Sequence, residues 1–331
     1  MPSAAYGPRR RPGHPPARGR AVARAGLAAG DAGCLGGFGA YGLDAAAGEE
    51  LAEPDLAAGA VPGRRPVTCR GAAGTYRLMP LLVGTSGWQY RDWRGVVYPP
   101  KVPQRSWLEE YASRFATVEN NNAFYRLPTA DTFAQWRRRT PDGFVMAVKA
   151  SRYLTHIKRL REPEEPVHRL MERAAALGDR LGPVLLQLPP NLRADPDALG
   201  ACLRCFPRSV RVAVELRHPS WWQAERDLRA VLERHGSALC WADRGSRPVA
   251  PLWRTADWGY VRLHGGRAEP APRYGRTALR SWAERVRQAW PDDRDDVYAY
   301  FNNDAGGAAV TDARLFARSA GAAGRTVSRV L

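Results

Sequence analysis

Glu119, Lys149, Gln187, Glu215, Arg217, Arg262, His264 and Asn302 each stand at or just past the end of a short apolar run. As a set they suit acid–base chemistry on an anion. A carboxylate beside a histidine or lysine can move protons. Guanidinium groups grip a phosphate or carboxylate with a planar fork, and an ammonium holds it as a point charge. Glu119, Glu215, His264, Lys149 and Asp243 are therefore the candidate catalytic groups. Arg217, Arg262 and His218 are candidate anion contacts, and Asn121, Gln187 and Asn302 would orient the ligand. Trp88, Phe124, Tyr125 and Tyr153 follow the same run ends, with His156 in the loop after the third. Such rings stack on sugars or bases, or pack loops onto the top of a domain. The competing reading of the charged set is a self-neutralising ion-pair layer.

Glu119, Glu215, Asp243 and His264 are also ligand types for a divalent metal. Lys149, Arg217 and Arg262 share their rim, and their charge opposes a cation. No zinc pattern is completed, because Cys202 and Cys205 form a lone CxxC. Within residues 79–325 neither GxGxxG, GxxxxGK[ST] nor a serine-nucleophile elbow occurs. No resident cofactor is identified.

Eight apolar runs must position these groups: LLVGTSGW, ATVENNNAFY, FVMAVKAS, PVLLQLPP, VRVAVELRH, ALCWAD, GYVRLHG and DVYAYFNND. Helix-like sequence separates each from the next. Strand and helix alternating eight times predicts a single (β/α)8 barrel of the α/β class, with its chemistry at the strand ends. Within the runs, Ala213, Glu215 and Arg217 share one face, and Arg262 and His264 another. Asp243 is placed on the same inward side. The barrel is expected over residues 79–325. Residues 1–78 are rich in Ala, Gly, Arg and Pro without a period. They read as a disordered extension, or as sequence upstream of a true start at Met79.

Seven blocks carry a resemblance: VGTSGWQYRDWRGVVYP, VENNNAFYRLP, FVMAVKASRYLTH, LGPVLLQLPPN, VELRHPSW, YVRLHG and YAYFNND. In order and spacing they resemble the domain of unknown function 72, or YecE-like, family. The resemblance implies a TIM barrel and no particular reaction. Asn120 and Ala123 depart from the family's usual residues.

The formal net charge is +17. An anionic partner follows from such a value, either a small molecule or a nucleic acid bound through loop arginines. Of 50 basic residues, however, only Lys101, Lys149 and Lys158 are lysine. That skew marks a G+C-rich coding sequence and weakens the nucleic-acid reading. It also makes the retained lysines and the six asparagines informative: Asn120, Asn121, Asn122, Asn191, Asn302 and Asn303 all follow run ends. The expected substrate is an anionic or sugar-like small molecule. A nucleic-acid-binding barrel or phosphodiesterase, or a metal-assisted hydrolase or isomerase, are the alternatives. No run approaches the length of a membrane span, and the cysteines suit a reducing cytoplasm.

Overall fold

The computed structural model describes residues 67–71, 74–78 and 80–330. Eight parallel strands form the barrel: β1 (Leu81–Thr85), β2 (Thr117–Asn120), β3 (Val145–Lys149), β4 (Leu181–Gln187), β5 (Val212–Glu215), β6 (Ala238–Arg244), β7 (Gly259–Leu263) and β8 (Val297–Phe301). From β2 to β8 each pairs with its sequence neighbour, and β8 returns to β1. Helices alternate with them: α1 (Trp107–Arg114), the single turn α2 (Asn122–Tyr125), α3 (Ala130–Arg138), α4 (Glu164–Ala174), α5 (Pro196–Arg204), the turn α6 (Ser220–Gln223), α7 (Glu225–Arg234), α8 (Arg276–Ala289) and α9 (Ala308–Ala322). All eight apolar runs are strands, and the expected TIM barrel is the fold. The hairpin Val67–Gly71 with Gly74–Leu78 falls within the segment expected to be disordered. The rest of that expectation lies outside the described residues.

Side-chain alternation sorts the strands into two cores. Leu82, Val145, Ala147, Leu185, Ala213, Ala238, Cys240, Tyr260, Tyr298 and Tyr300 fill the barrel. Small alanines and large tyrosines share this inner core. The opposite faces bury Val83, Val118, Val148, Val214, Leu239, Val261 and Ala299 against the helices. Thr129 caps α3 by accepting from the Thr132 N–H at 3.2 Å. Asp195 caps α5 in the same manner, from Ala198. Gly236 takes φ +57° as the chain leaves α7, a value that glycine adopts without strain.

The seam between β1 and β2 closes by a different device. Its described pairing is one bridge, Ser86 with Glu119, and the Gly87 N–H donates to the Glu119 carbonyl at 2.8 Å. Below that bridge the chain end supplies the missing partners. Ser328 and Leu81 bond through their backbones, Leu81 to Thr326 likewise, and Ala116 donates to the Arg329 carbonyl. Residues 326–330 thus extend the barrel's pairing past residue 325. At Gly84 a Cβ would lie 2.3 Å from the Thr117 carbonyl oxygen. Gly84→Ala should therefore prise the seam apart and cost about 1–3 kcal/mol, as overpacked cores do. A urea melt unchanged from wild type would show that β2 yields freely.

Candidate active site

Arg262, in the middle of the barrel mouth on β7, is 1% exposed. Its two terminal nitrogens reach different carboxylates: Nη2 lies 2.9 Å from Glu119 Oε1, and Nη1 lies 2.5 Å from Glu215 Oε2. Nη1 also approaches Gln187 Oε1 at 3.4 Å. Glu119 is completed by Tyr260, whose hydroxyl donates to Oε2 at 2.7 Å, and by the Ser86 hydroxyl. Glu215 accepts from Arg217 Nε at 2.9 Å. Burial opposes ionisation of Glu215, but the Arg262 and Arg217 charges outweigh it and hold its carboxyl well below the ordinary range. Both glutamates are therefore fully engaged with protein partners. Glu119 and Glu215, expected to act as acid and base, are each held by protein side chains. Arg262, expected to contact an anion, directs both terminal nitrogens to these carboxylates.

His264 stands between Asn302 and Glu215. Asn302 Nδ2 lies 2.8 Å from Nδ1, and Nε2 lies 3.5 Å from Glu215 Oε1. Burial, reinforced by Arg262 and Arg217, lowers its pKa, so the ring is neutral near pH 7. With Nδ1 accepting from the amide, the Nε2 proton faces the carboxylate. His264 is thus a neutral hydrogen-bonding wall of the site.

Lys149 differs from all of these. Its ammonium sits 3.9 Å from the centroid of the Phe124 ring, and the residue is 9% exposed. Among the described residues it has no hydrogen-bond or ion-pair partner. Burial, then the charge of Arg262, pushes its pKa down to about 8. Three cations therefore meet two carboxylates on the inner face, and the carboxylates are held by Arg262 and Arg217. The Asn121 amide donates to the Ser86 hydroxyl at 3.0 Å, while its buried oxygen has no partner.

Asp243 is not part of this cluster. It has the parity of Leu239 and Trp241, which face the helices, whereas Ala238 and Cys240 face inward. Its carboxylate accepts from the His264 N–H at 2.9 Å and from the Tyr274 hydroxyl at 2.5 Å. One strand register decides this, since each residue step reverses the side. His218 accepts at Nδ1 from the Ser220 N–H at 3.1 Å and fastens the start of α6. Trp88 is 3% exposed and stands edge-on to Trp136, so it packs the outer layer. Tyr125 and Tyr153, in contrast, line a cleft of about 160 Å³ with Phe124, Ser151, Arg169 and Arg173. The His156 ring stands edge-on to Phe124 at 5.1 Å. Phe124 is thus the wall shared by the cleft and Lys149.

The loop after β3 is built with strain. A π-helical turn covers Tyr153–Ile157, and Arg159, Leu160 and Glu162 follow with φ of 53°, 65° and 44°. Non-glycine residues rarely hold such values, and both features concentrate at functional sites. Among the described residues no three of His, Cys, Asp and Glu are placed to hold a metal ion, and Arg262 stands between the two glutamates. Several loop arginines bond to the protein itself, including Arg159 to the Asn191 carbonyl and Arg267 to that of Gly245. Ser86 and Tyr260 escaped the sequence reading. Their signal was alternation: Ser86 follows Leu82 and Gly84 on one face, and Tyr260 precedes Arg262 by two.

Residues 82–330 match the family model described as protein of unknown function DUF72. The chain belongs to this family. It is 33% identical to the Escherichia coli K12 UPF0759 protein YecE over 146 residues, 43% of this chain. That match spans about half, 53%, of the E. coli protein. The Bacillus subtilis UPF0759 protein YunF is 24% identical over 265 residues, covering 71% of this chain and 92% of that one. A solved DUF72 protein of Thermotoga maritima superposes with a TM-score of 0.63 at 28% identity, over 72% of this chain and 98% of that one. An Enterococcus faecalis DUF72 structure shares the fold at 20% identity and a TM-score of 0.62, over 73% and 95% of the two chains. In this DUF72 chain no described helix is long and apolar enough to cross a membrane.

Proposed function

We propose that this DUF72 chain is an enzyme that binds a small anionic or sugar-like molecule at the C-terminal ends of the strands and moves protons with Lys149. The observation that carries the reading is the unpaired ammonium of Lys149 beside carboxylates already held by arginines. An incoming anion finds one positive charge there that, among the described residues, no hydrogen bond or ion pair holds. An amine of pKa about 8 both gives and accepts a proton near neutral pH. The unpartnered Asn121 oxygen offers an acceptor for a ligand hydroxyl. The free thiols Cys202, Cys205 and Cys240 suit a reducing cytoplasm, which we propose as the compartment.

Lys149→Met separates binding from folding. The folded-state pKa lies below the ordinary 10.5, so the unfolded chain holds the proton more tightly. This lysine therefore weakens the fold below pH 8, and the penalty fades as pH rises from 8 to 10.5. Lys149→Met should be as stable as wild type at pH 7, or more so. Inorganic phosphate, a sugar phosphate and a sugar acid are to be titrated against both proteins, with melting temperature as the readout. At least one anion should raise the wild-type value and leave the variant unmoved. Equal shifts in both proteins, or none in either, would refute the reading. A urea melt in which Lys149→Met loses roughly 3–5 kcal/mol would instead make Lys149 a buried ion-pair partner.

A further inference from the structure

We infer that Lys149 is a covalent nucleophile, and that the substrate is a small carbonyl compound bearing an anionic group, held as an imine on Nζ. The inference rests on the anion-binding reading above and adds the functional group that the site would engage.

Three features of the geometry support it. The amine is free of the contacts that would occupy its lone pair, since no carboxylate or carbonyl of the described residues bonds to it. Phe124 covers one side of it at 3.9 Å, which keeps bulk water from solvating an ammonium there. The lowered pKa follows from that setting and leaves a substantial share of free amine near neutral pH. Neighbouring groups are fixed in ways that suit an imine. Arg262 bonds to both Glu119 and Glu215, and Arg217 to Glu215, so neither carboxylate is paired with the amine. The Asn121 oxygen remains open to a donor on the bound molecule. The cleft of about 160 Å³ beyond Phe124 accepts only a small tail, and Arg169 and Arg173 stand in its wall.

The step balances without any other reagent. The Nζ lone pair adds to the carbonyl carbon, and a proton passes from nitrogen to oxygen to give a carbinolamine. Its C–O bond then breaks as the oxygen takes up the second N–H proton and leaves as water, and the nitrogen lone pair forms the C=N bond. The imine, once protonated, withdraws electrons from the adjacent carbon, which is the activation that carbonyl substrates need for proton or carbon–carbon transfer.

The chain offers an internal comparison, because its lysines number three. Lys101 is exposed, and Lys158 pairs with Glu162, which raises its pKa. Glyoxylate, the smallest carbonyl acid, is to be incubated with the full chain at pH 7 and trapped with cyanoborohydride. Hydride adds to the imine carbon and leaves a stable carboxymethyl group on the amine, located by peptide mass spectrometry. Lys149 should be labelled roughly tenfold or more faster than Lys101 or Lys158, because the bound carboxylate holds the carbonyl beside the amine. Its labelling rate should level off above pH 8, while theirs continues to climb. Acetaldehyde, which lacks the anion, should lose most of that preference. Labelling of Lys149 no faster than of Lys101 overturns the inference. The melting-temperature titration tells the two failures apart. If anions still stabilise wild type and not Lys149→Met, the lysine binds an anion without forming a bond. If they do not, the anion-binding reading falls as well.

Discussion

Replacing Arg262 with methionine should be among the most destabilising single changes in the barrel, at about 3–5 kcal/mol. Methionine fills much of the same volume, so the loss is not chiefly one of packing. It comes from Glu119 and Glu215, which are 0% and 2% exposed and would keep their charge without the cation between them. Arg217 still reaches Glu215 at 2.9 Å, so Glu119 should carry the larger share. Two further measurements separate this cause from others. Adding Glu119→Gln and Glu215→Gln to Arg262→Met should recover most of the stability, since a neutral amide is far cheaper to bury than a lone carboxylate. The destabilisation should also shrink as pH falls and the stranded carboxyls take up protons. Urea melts at pH 7 and pH 5 test all three. A loss below about 1 kcal/mol for Arg262→Met would mean that water or a shifted Lys149 replaces the guanidinium.

Asp243→Asn should act in the opposite direction. Burial pushes the Asp243 carboxyl up to about 6, against an ordinary 3.8. Between those values the folded protein holds a proton that the unfolded chain releases. Stability from this group is therefore full below about pH 4, falls as pH rises through 6, and stays lost above it. A shift of roughly two units corresponds to about 3 kcal/mol. The asparagine keeps an oxygen for the His264 N–H and the Tyr274 hydroxyl, and it never ionises. The stability difference between variant and wild type should be near zero at pH 4 and approach about 3 kcal/mol in the variant's favour at pH 7. A difference that does not change with pH would show that Asp243 titrates alike in the folded and unfolded chains.

Much of the fold was legible because strands and helices announce themselves locally. Eight apolar runs with period-two alternation, separated by helix-length segments, admit few architectures other than a closed parallel barrel. The same alternation put Glu119, Lys149, Gln187, Glu215, Arg217, Arg262 and His264 on the inward face. It failed at Asp243, where the parity within ALCWAD depends on which residue of the run meets its neighbours in β5 and β7. Ala238 and Cys240 are small enough to face inward, and their pairing sends Asp243 outward. The role of the terminal residues 326–330 was likewise invisible, because their partners at Leu81 and Ala116 lie more than 200 positions away.

Residue types at strand ends were determined by the sequence alone: which groups carry charge and, Asp243 apart, which face they share. Only the tertiary structure decided who is paired with whom. Arg262 has two carboxylates within reach and takes both, Arg217 takes what remains of Glu215, and Lys149 is left against Phe124 with none. The physical reason is that an ion pair depends on angstroms. Residues 119, 149, 215 and 262 lie on β2, β3, β5 and β7, and barrel closure and strand stagger alone set the distances between their side-chain tips. A periodic pattern reports the direction in which a side chain leaves the backbone. It does not report what waits at the end of it.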